Sequence, residues 1–418
     1  MKIKTILFSV FLLLITDSAY AANLPTVGYY GSLLGVILVG LACALCLILP
    51  FLSEKSSPLS FVIVLFLCGW VFISSYLRGA GIGPSTKYIF ILIIAYYAAA
   101  AVDFNELMNG VVNVLFVLAA AAISMWIIVF LFPSVYDRLP QMEVVLGGGQ
   151  NAVYRTVGIV NMYWPFYEPI PRLYSVFWEP GVCQAYFNIG MILTVKLIDG
   201  KREILYIAVF LLAVILTLST TGYFVAAAVL LYILLSGKGT DASARRIHGG
   251  LKIGVLIGAA VLLVLLPVFT LSDIYASVFD KLSMGTANQS VSSRFGSITG
   301  SLEVLKDNFL LGVGLNQSVA AVWETGRRIN LTNTVMDYFV SFGIIIGSLF
   351  VACWASFIRS LSESGLEFLT IALAFVLIFA GENFIQSQFF NVLMMYGLTS
   401  LIDHSDFFRR HENKEIEA

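Results

Sequence analysis

The side chains able to do chemistry gather in a few short stretches of this chain, and arginine leads among them. The stretch RLYSVFWEPG sets a guanidinium (Arg172), a hydroxyl (Ser175) and a carboxylate (Glu179) close together, directly ahead of an apolar run. Further arginines stand at Arg78, Arg138, Arg155, Arg294, Arg327 and Arg328, against lysines only at Lys87, Lys281 and Lys306 on the same side of the topology derived below. A guanidinium fork grips phosphate oxygens in pairs and stays charged at any pH. The set therefore suits a phosphate or diphosphate at headgroup level, although lipid headgroups or acidic neighbours such as Asp137, Glu143 and Glu168 compete for each arginine taken alone.

Pro180 fits the first turn of a helix, where its missing N–H costs nothing, and this puts Glu179 at the helix start. There the carboxylate meets unpaired backbone donors and the positive end of the helix dipole, so capping is one reading and a general base is another. If the preceding segment were helical, Arg172 and Ser175 would share a face with Glu179. The three histidines, His248, His404 and His411, all fall on the opposite side of the chain's topology, which excludes imidazole from a site built around these arginines. There is no Walker loop, no G-x-G-x-x-G turn and no dense carboxylate cluster, so no metal, cofactor or nucleic-acid partner is expected. Cys43, Cys46, Cys68, Cys183 and Cys353 lie mostly in apolar runs and read as packing residues.

The elements that must position these groups follow from composition. Hydrophobic residues are 59% of the chain and charged residues 12%, about half the charged share of an ordinary soluble domain, so the solvent is lipid. A hydrocarbon core takes roughly 20 helical residues to cross. Runs that meet or approach this length fall near 5–22, 28–52, 59–77, 88–102, 111–132, 182–199, 204–218, 222–236, 253–271, 334–357, 366–381 and 386–402. The expectation is an all-α integral membrane protein, one polytopic domain over 1–418 with about 12 transmembrane helices. The first 21 residues also read as a cleavable signal, with a basic start and an Ala19-Tyr20-Ala21 end, and cleavage would leave 11.

Lys and Arg in the short connections set the orientation. With Lys2 and Lys4 inside, Lys55, Lys201, Arg202, Lys238, Arg245, Arg246, Arg359, Arg409 and Arg410 fall inside too, as does the tail 403–418. Two long connections, 133–181 and 272–333, are left outside and are expected to carry short helices and the polar site.

Tyr154, Tyr163, Trp164, Phe166, Tyr167, Tyr174, Phe177 and Trp178 crowd the first of these connections. Aromatics collect at membrane interfaces and also stack on sugar rings, and both readings stand. Ser219, Thr220, Thr221 and Gly222 read as turn chemistry, and Asn333 as a helix cap or a hydrogen-bonding partner for a sugar. Asp337, if deep, must face protein or water.

The pattern R-x-x-S-x-F-x-E-P-G at Arg172–Gly181, followed by LTLSTTGYFVAAAVLLY, resembles the O-antigen polymerase and ligase family of bacterial envelope proteins. SSRFGSITGSLEVLKDNFLLGVGLNQS is similar to that family's large external loop, and LTNTVMDYFVSFGIIIGSLF to the helix after it. The likeness covers roughly residues 155 to 357. It implies a glycosyltransferase of the bacterial inner membrane, multi-pass, working at the periplasmic face on glycans carried by undecaprenyl pyrophosphate, with membrane lipids and a chain-length regulator as further partners. A lipid diphosphate donor carries its own leaving group, so arginine can stand where a metal would otherwise be needed.

By the resemblance, Arg172 and Arg294 would steady the departing diphosphate, with Arg155, Arg327 and Arg328 as further binding residues beside Ser175 and Asn333. Glu179 would act as the base, orient the acceptor, or simply hold Arg172. Where the family's ligases carry a histidine, this chain has Thr332, just before Asn333, which favours a polymerase that joins repeat units of O-antigen, capsule or exopolysaccharide. An O-antigen ligase is the alternative, and a non-enzymatic transporter of lipid-linked sugars is the competing class. Transporters place their sites near the midplane on broken helices, whereas the polar inventory here gathers in two connections.

Overall fold

A computed structural model of the chain describes residues 3–22, 58–79, 82–146, 150–164, 170–236, 287–326 and 331–416. The runs expected as spans at 28–52 and 253–271 lie outside the described residues, as do Cys43, Cys46, His248, Arg327 and Arg328. The other ten expected runs are helical. They are α1 (Ile3–Leu14) with the short α2 (Ala19–Ala22), α3 (Pro58–Leu77), α4 (Ile82–Ala101), α5 (Phe104–Leu131), α7 (Pro180–Leu197), α8 (Lys201–Leu216), α9 (Thr220–Leu235), α12 (Thr334–Leu361), α13 (Gly365–Gly381) and α14 (Gln388–Ile416). Among the described residues α3, α4, α5 and α12 are long and apolar enough to cross a membrane. The first expected run is interrupted, since α1 ends at Leu14 before a turn leads to α2.

The pattern on α3 shows which solvent surrounds it. Ser60, Val64, Leu67, Val71, Ser74 and Ser75 face inward, while Phe61, Leu65, Phe66, Phe72 and Ile73 are exposed. Small and polar residues inside with large apolar residues outside invert the order of a water-soluble helix. The helix belongs in lipid, and the protein is membrane-embedded.

The described residues fall into two compact units. The first takes in α1, α2, nearly all of α5, and the stretch from 105 through α9. Its centre is α7, buried on every face from Val182 to Val195 and packed by α8 and α9. The connection after α5 departs from expectation. It carries one short helix, α6 (Ser134–Arg138), and then an antiparallel sheet of β1 (Gln141–Leu146), β2 (Gln150–Val157) and β3 (Val160–Met162) in the order β1-β2-β3, where helices alone were expected. Gly158, at φ 60°, begins the two-residue turn between paired Val157 and Val160, a position where glycine costs least.

The second unit holds α3, α4, α12, α14, most of α10 (Ala287–Asp307) and α11 (Ser318–Glu324). Its distinctive feature is an interruption of α12 at Gly343, where φ is 79° and ψ 179°. The chain between α10 and α11 inserts at the break. Val313 N–H donates to the Val340 carbonyl at 2.8 Å, Gly314 N–H to Ser341 at 3.0 Å, and Ile344 N–H to Phe309 at 2.8 Å. Backbone groups freed by the broken helix are thus met by the inserted segment, as an apolar medium requires. A Cβ on Gly343 would lie 2.0 Å from the Leu310 carbonyl oxygen, so only glycine permits this approach. Beside the break, Asp337 is 4% exposed and accepts hydrogen bonds from Ser341 at 2.7 Å, Asn383 at 2.6 Å and Ser318. It faces protein, as its depth demands.

Candidate functional site

Arg172, Ser175 and Glu179 sit on a segment that is not helical, so the shared helical face does not exist. The segment is threaded through the first unit and tied to four of its elements. Trp126 of α5 donates from Nε1 to the Pro171 carbonyl at 2.6 Å, and Leu173 N–H donates to Leu216 at the end of α8 at 2.9 Å. Asn161 of β3 donates its N–H to the Ser175 carbonyl at 2.7 Å, and Ala19 of α2 donates to Val176 at 2.9 Å. Backbone held at so many points is preorganised, which is what a binding residue on a loop needs.

The Arg172 guanidinium lies across the turn between α8 and α9, donating from Nε to the Thr217 carbonyl at 3.1 Å and from Nη2 to Leu218 at 3.4 Å. That turn is the start of the LTLSTTGY stretch, so the two quoted motifs meet at this guanidinium. Leu218 (φ 50°) and Ser175 (φ 58°) are two of the three non-glycine residues with positive φ among those described. Such backbone costs of order 1–3 kcal/mol and collects where surrounding structure imposes it, commonly at functional sites. Ser175 is fully buried and its hydroxyl donates to the Leu118 carbonyl at 3.3 Å, which makes it part of the threading rather than an open hydroxyl.

Glu179 is half-buried at the start of α7, with Pro180 in the first turn as expected, and its side chain makes no capping hydrogen bond. Its charge is felt by Tyr154, whose hydroxyl donates to the carbonyl of Trp178. Burial first, and the Glu179 carboxylate second, hold that hydroxyl well above the ordinary tyrosine range. Tyr154 stacks on Tyr163 with centroids 5.3 Å apart and meets Tyr174 edge-on at 5.5 Å. Two of these rings are buried in a cluster with Ala19 and Met142, with Trp178 packed against it. The aromatic density of this connection is therefore largely a core of its own. Arg155, next to Tyr154 on β2, donates to the Leu139 carbonyl at 3.2 Å and stands over the Tyr136 ring at 5.6 Å.

Where the second and third turns of α7 meet the first turn of α9 lies a polar group of which sequence reading named only Thr221 and Gly222, as turn residues. Asn188 donates to Gln184 Oε1 at 2.9 Å and toward the Gly222 carbonyl at 3.4 Å. Gln184 Nε2, Asn188 Oδ1 and Thr221 Oγ1 are buried without a partner. Ser219 caps α9 by accepting from Gly222 N–H at 3.3 Å, the turn role expected of it.

The remaining expected site residues fall in the second unit. Arg294 lies in the first half of α10. Asn333 caps α12, its side-chain oxygen accepting from Met336 N–H at 3.0 Å, which is the helix-cap reading of the two. Thr332 has a buried hydroxyl without a partner. Arg155, Arg172, Ser175 and Glu179 thus share the first unit, and Arg327 and Arg328 lie outside the described residues. Among the described residues no three His, Cys, Asp or Glu side chains converge as a metal site would require.

Residues 205–351, from within α8 into α12, match the family described as O-Antigen ligase. No curated protein matches the chain. The match includes the LTLSTTGY turn held by Arg172 and the break in α12, and it covers three of the four stretches that carry the resemblance, the Arg172–Gly181 pattern lying ahead of it.

Proposed function

We propose that this membrane protein, with its O-antigen ligase-family segment at 205–351, is a glycosyltransferase that polymerises lipid-linked oligosaccharides at the periplasmic face of the bacterial inner membrane. The observation that supports this most is the Arg172 guanidinium spanning the Thr217–Leu218 turn inside the matched segment. The guanidinium is a fixed positive charge on the same non-helical segment that leads to half-buried Glu179, and the backbone of that segment is tied at several points. A hydroxyl at the non-reducing end of one undecaprenyl-pyrophosphate-linked unit attacks the anomeric carbon of another chain. The new glycosidic C–O bond forms as the anomeric carbon–phosphate oxygen bond breaks, the hydroxyl proton passes to a base, and undecaprenyl pyrophosphate leaves with the electron pair. Arg172 and Arg294 stabilise the departing charge, Arg155, Arg327 and Arg328 bind phosphate, and Glu179 takes the proton or orients the acceptor. A regulator of chain length is the partner this activity calls for.

Polymerase is preferred to ligase because Thr332 stands at the histidine position of the ligase pattern, and its partnerless hydroxyl offers no base of comparable strength. Interrupted α12 with buried Asp337 is the one observation that favours a transporter, since such elements carry transporter sites. Purified protein that lengthens a lipid-linked oligosaccharide in the absence of a gradient separates the classes, and inability to do so under any condition defeats the polymerase reading. Glu179→Gln is expected to leave folded protein with chain growth reduced about 100-fold or more, the usual scale of a lost general base. Polymer of normal length from that variant removes Glu179 as the base.

A further inference from the structure

Away from Arg172, the second unit contains an open cavity of about 450 Å³, within the range of small-ligand clefts. Its walls are Glu303 and Asp307 of α10, Asn308 just past its end, Gln317, Glu324 and Thr325 around α11, and Arg78 just past the end of α3. Val304, Val313 and Ala321 give it an apolar floor. The floor is fixed, because Val304 and Val313 pack with Val322 and Val340, and Ser318 at the start of α11 is bonded to buried Asp337. A concave surface of this kind, with a rigid apolar strip and separate polar groups around it, is preformed for a ligand.

The polar groups define the ligand. Three carboxylates are acceptors, the Asn308 and Gln317 amides and the Arg78 guanidinium carry donors, and the Thr325 hydroxyl, which donates to the Val322 carbonyl at 2.7 Å, has only lone pairs to offer. The carboxylates and their neighbours do not converge as a metal site. Buried hydroxyls lie on two of the same helices. Ser297 and Ser301 lie on the α10 face that carries Val304, at helical spacing, and both hydroxyls are fully buried without a partner. Ser74 and Ser75, one turn before Arg78 on α3, are buried and partnerless as well. Buried hydroxyls of this kind call for water or ligand close by.

We infer that this cavity is a glycan subsite that takes a sugar segment bearing hydroxyl or ammonium groups and turns away carboxylated sugars. Carboxylates accept from sugar hydroxyls and from ammonium, the apolar strip meets the C–H face of a ring, and among the described lining residues three negative charges against one positive repel an acidic sugar. The identity of the ligand as glycan rests on the glycosyl-transfer reading, while the charge preference rests on the lining alone.

The test uses full-length protein in nanodiscs of zwitterionic lipid, with empty nanodiscs as reference and saturation-transfer NMR as the readout. The probes are the trisaccharides of glucosamine, of glucose and of galacturonic acid. The first two are expected to bind about tenfold more tightly than the third, a difference that a few screened like-charge contacts can generate. The variant Glu303→Gln/Asp307→Asn/Glu324→Gln should bring the three probes within about threefold of one another, and Ala320→Trp, which sets an indole into the cavity from its Ala320 wall, should abolish binding of all. Asp307→Asn alone, at an exposed position, gives an intermediate preference and covers the case in which the triple variant does not fold. Equal binding of the acidic probe to the unaltered protein, or a preference untouched by Asp307→Asn, overturns the subsite. Selective binding by a protein that forms no polymer defeats the transfer reading and leaves the subsite standing.

Discussion

The Arg172 segment and the α10–α11 cavity are both polar places in an apolar chain, yet they are built in opposite ways. The first is organised around a guanidinium whose partners are backbone carbonyls at Thr217 and Leu218, with aromatic rings packed into a small core beside it. The second is organised around carboxylates above valines, and its framework is a hydrogen-bonded splice into a broken helix. In one, the charged side chain is part of the scaffold that it serves. In the other, scaffold and charges are separate, so the charges can be changed while the scaffold stays.

That contrast can be broken in three places. The largest effect is expected at Gly343→Ala, where a methyl would enter the Leu310 carbonyl and the left-handed backbone would be strained as well; a loss of about 3 kcal/mol or more should appear in thermal unfolding followed by fluorescence. Gly69→Ala in α3, with nothing within 4 Å, should be neutral or stabilising by up to about 1 kcal/mol, and equal melting of the two would sink the splice. Next, Arg172→Lys should lower chain growth about tenfold or more, because an ammonium cannot span two carbonyls and still present a fork, whereas Arg78→Lys should cost less than about threefold. Similar losses at both would mean that the guanidinium shape is not what matters at Arg172. The smallest effect is expected at Ser175→Gly, which relieves the positive φ but gives up the bond to Leu118, leaving stability within about 1 kcal/mol. Chain growth lost in that folded variant would return Ser175 to substrate binding.

How much could be read beforehand depended on the length scale of the signal. Apolar runs specify helices strongly, and α9, expected at 222–236, is found at Thr220–Leu235; α12, expected to start at 334, starts there, with Asn333 capping it. Pro180 likewise marked the start of α7. The sheet was missed although its signal was present: β-branched alternation in QMEVVL and NAVYRTV on either side of a Gly147-Gly148-Gly149 run is a hairpin pattern. It was hidden by the expectation that connections in a helical membrane protein are helical. The α12 interruption had a weaker signal, since Gly343 looks like any packing glycine until the inserted segment from Phe309 to Gly314 is in place. Of the polar partners of Asp337, Ser341 stands one helical turn on, but Ser318 and Asn383 are too far away in the chain for spacing to reveal. The cavity acids drew no notice in the sequence: Glu303 and Asp307 share a helical face, but only the connection between α10 and α11 brings Glu324 to the same hollow.

The splice at Gly343 also limits how this protein can be taken apart. Its inserted segment borrows acceptors at Val340 and Ser341 and gives one back to Ile344, so a polypeptide spanning only 287–326 would have no counterpart for these bonds. Cut free and made as a water-soluble fragment, it should lose the α10–α11 hollow together with its sugar preference.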